Sequence, residues 1–347
     1  MSDSTSNSKT NVAVSQALPL FVGVDVGGTS IKFGLVDDTG KTLSKCHIPT
    51  DQEKGPEDAM RRSTAVMLTL AESAGVTMDD VLGVGLATPG TMDLDEGTLL
   101  QPHNLPGWWE FPIRDCLQAI CGKPVHFAND ANAAAFGEFW IGSGAAFNSI
   151  VLFTLGTGVG GGIIIDDTTL VGENSAGSEL GHTIIDYKET ARLCGCGQRG
   201  HLEAYASARG VVARTEDALA SGRESSLAER IKEGKSLTPL LIAREAELGD
   251  ELSREIVLWT ARYLGIGTVN IMHTVNPGAV IFGGAMTFGG HDSELGRQFL
   301  DTIRKETHSR CFPALVDKTH IDFATLGGDA GYVGAAGLAR LAYASKR

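Results

Sequence analysis

Basic residues are in short supply. Lys and Arg number 29 against 42 Asp and Glu, for a formal net charge of −13. That deficit argues against a nucleic-acid or membrane-surface binder, which normally presents a basic face. It does not exclude a nucleotide, because local backbone dipoles can oppose the overall sign. Long apolar runs are missing as well, and none reaches the roughly 20 residues of a membrane-spanning helix. Cysteine is sparse, at 6 of 347 residues. Cys46, Cys116, Cys121 and Cys311 are scattered and read as reduced, packed thiols, which points to the cytoplasm. Met1 to Leu18 is rich in Ser, Thr and Asn and lacks the basic start and apolar core of a signal peptide, so it reads as a disordered tail.

What the chain does have is glycine, 44 of 347 residues, roughly twice the usual share of about 7%. Two clusters stand out, Asp25-Val-Gly-Gly-Thr29 and Leu155-Gly-Thr-Gly-Val-Gly-Gly-Gly162. Each is preceded and followed by an apolar, β-branched run, which predicts strand, tight turn, strand, twice over. Glycine lets a backbone approach a polyphosphate closely, and successive N–H groups form an anion-binding concavity. Two such hairpins in a chain too long for one core predict a phosphate clamp between two α/β lobes.

The coarse order supports that duplication. Leu20 to Ile48 reads as a three-strand meander, Pro56 to Ala74 as a helix, and Val81 to Ala87 as a buried strand ending in Thr88-Pro-Gly90. Pro112 to Ile120 reads as a helix, and Pro124 to Ala128 as a strand leading through Asn129-Asp130 into the Ala-rich helix Ala131 to Trp140. The second half repeats the plan: a hairpin over Asn148 to Asp166, a strand-like Gly177 to Ile185, a Cys/His knot over Leu193 to Glu203, then helices, including Ala206 to Ala220 and Ser253 to His273. Strand Ala279 to Phe282 ends in Gly283-Gly284, and the closing helix Ala330 to Ala344 is expected to pack back on the first lobe. The expected division is a tail over 1–18, an N-terminal lobe of 19–128 plus about 329–347, and a C-terminal lobe of 129–328.

The two glycine turns, Asn129-Asp130-Ala-Asn132, Glu179-Leu-Gly-His182 and Cys194-Gly-Cys196 followed by Glu203 stand in the order found in the ROK family of sugar kinases and repressors. The resemblance runs from Phe21 to the C-terminus and is closest to the family's bacterial glucokinases. It implies the actin-like ATPase (ribonuclease H-like) fold, two lobes around a central cleft, with ATP, Mg²⁺ and a hexose as ligands, and often a dimer. ROK repressors carry a DNA-reading helix-turn-helix ahead of the first glycine turn. About 20 residues precede Phe21, with one Lys and no Arg, so a repressor is not expected.

The candidate residues follow from chemistry and resemblance together. Asp25, at a strand end, could hold Mg²⁺ beside the phosphates, or simply bond its own turn. Gly27, Gly28 and Thr29, with Gly156, Thr157 and Gly158, would donate to phosphate oxygens, and Lys32 could lie nearby. Asp130 is the candidate base, able to accept a sugar hydroxyl's proton as the phosphoryl group moves. Its plainer role would be to cap the helix that follows. Asn129 can donate to and accept from sugar hydroxyls. The resemblance adds Glu179, His182 and Glu203 as sugar ligands, Asn104 in the loop closing over the sugar, Thr88 and Gly90 as the pocket floor, and Gly283 and Gly284 as the adenosine-contacting turn. Trp108 and Trp109 could cover a sugar face or simply pack. His182, Cys194, Cys196 and His201 suit a structural tetrahedral Zn²⁺. His201 stands where the family more often has Cys, and imidazole is a competent substitute.

Overall fold

The computed structural model describes residues 19–102 and 104–345. The tail reading for residues 1–18 lies outside them, as does His103. The first half builds a mixed sheet from β1 (Leu20–Val26), β2 (Ser30–Asp37), β3 (Thr42–Pro49), β4 (Val81–Thr88) and β7 (Val125–Asn129), in the order β3-β2-β1-β4-β7. A small ribbon of β5 (Thr91–Asp93) and β6 (Thr98–Gln101) stands beside it, and α1 (Pro56–Ser73) and α2 (Ile113–Cys121) cover one face. After α3 (Asp130–Trp140) the second sheet comprises β8 (Ser149–Leu155), β9 (Val159–Ile165), β10 (Thr168–Thr169), β11 (Ala279–Gly284) and β12 (His320–Phe323). Its order, β10-β9-β8-β11-β12, repeats the first, with two antiparallel pairings followed by two parallel ones. The helices α4 (Glu203–Ala206), α5 (Ala208–Ala220), α6 (Leu227–Lys232), α7 (Pro239–Glu247), α8 (Glu251–Val275) and α9 (Glu294–Arg310) lie between β10 and β12, and α10 (Ala330–Ala344) closes the chain. No helix among the described residues is long and apolar enough to cross a membrane.

Both faces of each sheet are covered, so the inner strands read as continuous apolar runs. In β8, Val151, Phe153 and Leu155 join the core shared with α8 and α9, while Ile150 and Leu152 face α3 and α10. Phe153 stacks on Phe282 of β11 at 5.3 Å between ring centres.

The lobes exchange helices. α10 follows the second sheet but packs on β1 and β4 of the first, whereas α3 follows the first sheet and packs on β8 and β9 of the second. Glycine makes both contacts possible. A Cβ at Gly23 or Gly85 would fall 1.8 Å from the carbonyl oxygen of Tyr332 or Ala335 on α10. The two helices also cross each other backbone to backbone, and a Cβ at Gly334 would fall 1.6 Å from the carbonyl oxygen of Ala133.

Two segments differ from the sequence reading. Gly177 to Ile185 is a turn followed by a short 3₁₀ helix over Leu180–His182, and not a strand. Its hydrogen bonds are local, Leu180 N–H to Ser178 and His182 N–H to Glu179, and Ser178 sits at φ +68°. A Cβ at Gly181 would fall 2.1 Å from the carbonyl oxygen of Val159, so the segment presses end-on against β9 and does not extend along it. The helix expected from Ala206 breaks at Ser207, whose side chain caps α5 by accepting from Gly210 N–H.

Overpacking a filled contact typically costs about 1–3 kcal/mol. Gly334→Ala is expected to lower the melting temperature by about 1–4 °C, as read by differential scanning fluorimetry. An unchanged melting temperature would show that α3 and α10 can separate at no cost.

Candidate active site

Parallel strands β1, β4 and β7 end along one sheet edge, where ligands of α/β sheets bind. Register places Asp25 opposite Ala87, and Thr88 opposite Asn129. Asn129, and not Asp130, caps α3: its side-chain oxygen accepts from Ala131 N–H at 2.9 Å and Asn132 N–H at 3.3 Å. The amide nitrogen of Asn129 remains for a ligand. Asp130 is the first helical residue, and its Oδ1 accepts from Ala131 N–H at 2.8 Å.

A cavity of about 450 Å³ opens between the lobes, lined by Asp25, Lys32, Asp130, Glu138, Thr154, Gly283, Gly284, Gly327 and Gly328, among others. Burial pushes the Asp130 carboxyl above the usual carboxylate range, the Ala131 N–H opposes this, and the Glu179 carboxylate raises it further. Burial also pushes Asp25 up to about 6, with Asp130 adding and Lys32 opposing. Lys32 reaches across the cavity, its Nζ donating to the carbonyl of Gly328 at 2.9 Å. Gly331, which sequence reasoning missed, makes room for the acid: a Cβ there would fall 2.3 Å from Asp25 Oδ2. A glycine in an Ala-rich helix carries no local signal for that role.

The glycine turns and the sugar candidates lie outside the lining of this cavity. Gly27 N–H is taken by Ser30, and Gly156 N–H by Gly158, in the tight turns themselves. Donation to a phosphate would therefore fall to Gly28, Thr29, Thr157 and Gly158. A Cβ at Gly28 would meet the Asn104 carbonyl at 3.1 Å, so Asn104 lies against the first turn. Glu203 lies against the second, with Oε2 accepting from Val159 N–H at 3.0 Å. Glu179 Oε2 stands 4.0 Å from His182 Nε2. Gly90, at φ +97°, backs onto Pro102, where a Cβ would come within 2.5 Å. Gly284, at φ +93°, abuts Leu155, next to the second turn. Trp108 is fully buried and donates Nε1–H to the carbonyl of Gln52 at 3.0 Å, whereas Trp109 is 59% exposed.

His182, Cys194, Cys196 and His201 bring one ligand atom each to within 4.8 Å of one another. The Nδ1 atoms of His182 and His201 are 3.2 Å apart, Cys196 Sγ lies 3.3 Å from His201 Nδ1, and Cys194 Sγ lies 3.9 Å from His182 Nδ1. Tetrahedral zinc with nitrogen and sulfur ligands has edges of about 3.3–3.8 Å, so the donor set and these three spacings suit such an ion. Burial and the neighbouring His182 hold the His201 ring below its ordinary pKa, in the neutral form a metal requires. Cys194 Sγ also lies 3.6 Å from Glu203 Oε1, which ties the cluster to the second glycine turn.

A duplicated sheet with exchanged helices around a cleft of carboxylates and glycine turns defines a two-lobed α/β protein of the actin-like ATPase fold. The chain belongs to the ROK family, whose sequence signature matches residues 21–342. It is 33% identical over 314 residues to the glucokinase of Halalkalibacterium halodurans, covering 90% of this chain and 93% of that one. The ROK hexokinase of Thermus thermophilus superposes with a TM-score of 0.78 at 31% identity, over 94% of this chain and 99% of that one. A ROK glucokinase from Streptomyces griseus, in complex with glucose and AMPPNP, superposes with a TM-score of 0.73 at 33% identity, over 93% and 99%.

The raised Asp25 pKa carries a sign. Between its unfolded value of 3.8 and about 6, the folded chain keeps a proton the unfolded chain has lost, so stability falls as pH rises through that window. Asp25→Asn is expected to stabilise the ligand-free protein by about 3 kcal/mol at pH 7.5, with a gain that shrinks towards pH 4.5. Urea unfolding at the two pH values reads this, and a gain independent of pH would contradict it.

Proposed function

We propose that this protein transfers the terminal phosphoryl group of ATP to the primary hydroxyl of a hexose, glucose foremost, with Asp130 as general base. The observation that carries the reading is the place of Asp130: on the wall of the cleft, at the start of a helix, coupled electrostatically to Asp25 on one side and to Glu179 on the other. A raised pKa suits a group that must gain a proton during turnover. The new bond joins the sugar oxygen to phosphorus, the bond from phosphorus to the bridging oxygen of ADP breaks, and the hydroxyl proton passes to Asp130. Similarity to glucokinases, one of them holding glucose and an ATP analogue, supports glucose as the acceptor.

In this reading Gly28, Thr29, Thr157 and Gly158 hold phosphate oxygens, while Gly283 and Gly284 lie against the adenosine. Thr88, Gly90, Asn104, Asn129, Glu179, His182 and Glu203 orient the sugar. Asp25 would hold Mg²⁺, which when bound neutralises phosphate charge. Zinc on His182, Cys194, Cys196 and His201 would brace the loop that carries Glu203 and orient His182 by Nδ1, leaving Nε2 for a sugar hydroxyl. The lobes would divide at 19–128 plus 329–347 against 129–328. A cytoplasmic homodimer with no nucleic-acid partner completes the reading.

Asp130→Ala is expected to lower kcat by about 10³-fold or more while glucose binding, measured by calorimetry, stays within a few-fold. Near-normal turnover in that variant would remove Asp130 from the mechanism. Protein purified without chelator is expected to hold one zinc per chain, and Cys194→Ser to lose it together with thermal stability. Full activity in a zinc-free preparation would remove the metal.

A further inference from the structure

We propose that Glu138 is the positioning residue for the nucleotide side of the cleft, a role that rests on the kinase reading. Glu138 is fully buried on α3, and no cation pairs with it among the described residues. Its carboxylate is instead held by N–H and O–H donors from two different connections. Oε2 accepts from Ser143 N–H at 2.9 Å and Ser143 Oγ–H at 2.8 Å, in the link between α3 and β8. The same oxygen accepts from Thr325 N–H and Thr325 Oγ1–H, both at 3.2 Å, and Oε1 accepts from Leu326 N–H at 2.7 Å, in the link between β12 and α10. The niche is built for the group, since a Cβ at Gly142 would fall 2.1 Å from Oε2.

Leu326 leads directly into Gly327 and Gly328, which line the cleft together with Glu138 itself and with Gly283 and Gly284, the turn that the kinase reading sets against the adenosine. Lys32 holds the same turn from the opposite side through the Gly328 carbonyl. Glu138 and Asp130 lie eight residues apart on one helix, a rise of about 12 Å. A single rigid element therefore carries the base at one end and clamps the nucleotide-side turn at the other. If the clamp loosens, the turn moves relative to Asp130, whereas the sugar ligands, none of which lies in the two links that Glu138 holds, do not.

The test compares wild type with Glu138→Gln and Thr325→Val in the full chain. The glutamine keeps the shape but points an amide NH₂ at groups that are themselves donors. Buried donors left unpaired cost enough to weaken binding by about tenfold or more. Glu138→Gln is expected to raise the KM for ATP and the calorimetric Kd for ADP at least tenfold, with the glucose Kd in the absence of nucleotide within twofold of wild type. Thr325→Val, which removes one donor and preserves volume, is expected to raise both nucleotide constants by a smaller factor, and it carries the test if Glu138→Gln fails to fold. Nucleotide affinity unchanged in the folded variants would overturn the proposal. So would nucleotide and sugar affinities that weaken in step, the sign of a merely structural role. Failure of wild type itself to bind ADP would instead sink the kinase reading from which the proposal starts.

Discussion

Two helices meet backbone to backbone, and the cleft is hung on that contact. α3 and α10 each begin at the cleft and each leave one sheet to lie on the other. Their crossing at Gly137 and Gly334 leaves no room for a side chain, because a Cβ at either would meet a backbone atom of the other helix within 2.7 Å. Close-packed interiors tolerate little adjustment, so the relative position of the two helix starts is set by the crossing. At one start stands Asp130; at the other, Gly331 lies against Asp25. Side-chain bulk anywhere along this seam would move one carboxyl relative to the other.

The charges in the cleft follow from that geometry. Asp130 raises the pKa of Asp25, and Glu179 raises that of Asp130, in a chain that is acidic overall. Lys32 is the opposing charge that acts on Asp25, and it also holds the turn at Gly328. The cleft disfavours an ionised Asp25, first because burial takes its carboxylate out of water and second because Asp130 stands nearby. A penalty of that sort is found where function outweighs stability. The Cys/His cluster meets the acids at Glu179, 4.0 Å from His182, and at Glu203, which Cys194 approaches and which in turn meets the second glycine turn. Glu138 forms a third anchor, a buried carboxylate satisfied wholly by dipoles.

The hairpins, the closing helix and the Cys/His knot were legible because each is written in local terms: glycine between β-branched runs, alanine at helical spacing, soft ligands close together. The return of α10 to the first sheet was legible from the order of elements alone. Gly177 to Ile185 was misread because its apolar and small residues suit a strand, while tertiary contact of Gly181 with Val159 turns it into a 3₁₀ corner. The division of labour between Asn129 and Asp130 needed coordinates, since either residue can cap a helix. Glu138 carried no signal, because an acid in an Ala-rich helix reads as a solvated face and three of its five donors, on Thr325 and Leu326, lie about 190 residues away in the chain. Gly331 was hidden, and the choice between packing and sugar contact for Trp108 stayed open, for the same reason: what they touch is distant in sequence.

The central claim is that one carboxyl group faces both the sugar's primary hydroxyl and the terminal phosphate. A crystal structure of the protein with glucose and a non-hydrolysable ATP analogue tests it most directly. The account predicts an Asp130 oxygen within about 2.6–3.2 Å of the sugar's primary hydroxyl, with the terminal phosphate lying against the two glycine turns. A primary hydroxyl directed at another acid, with Asp130 bonded only within its own helix, would contradict it.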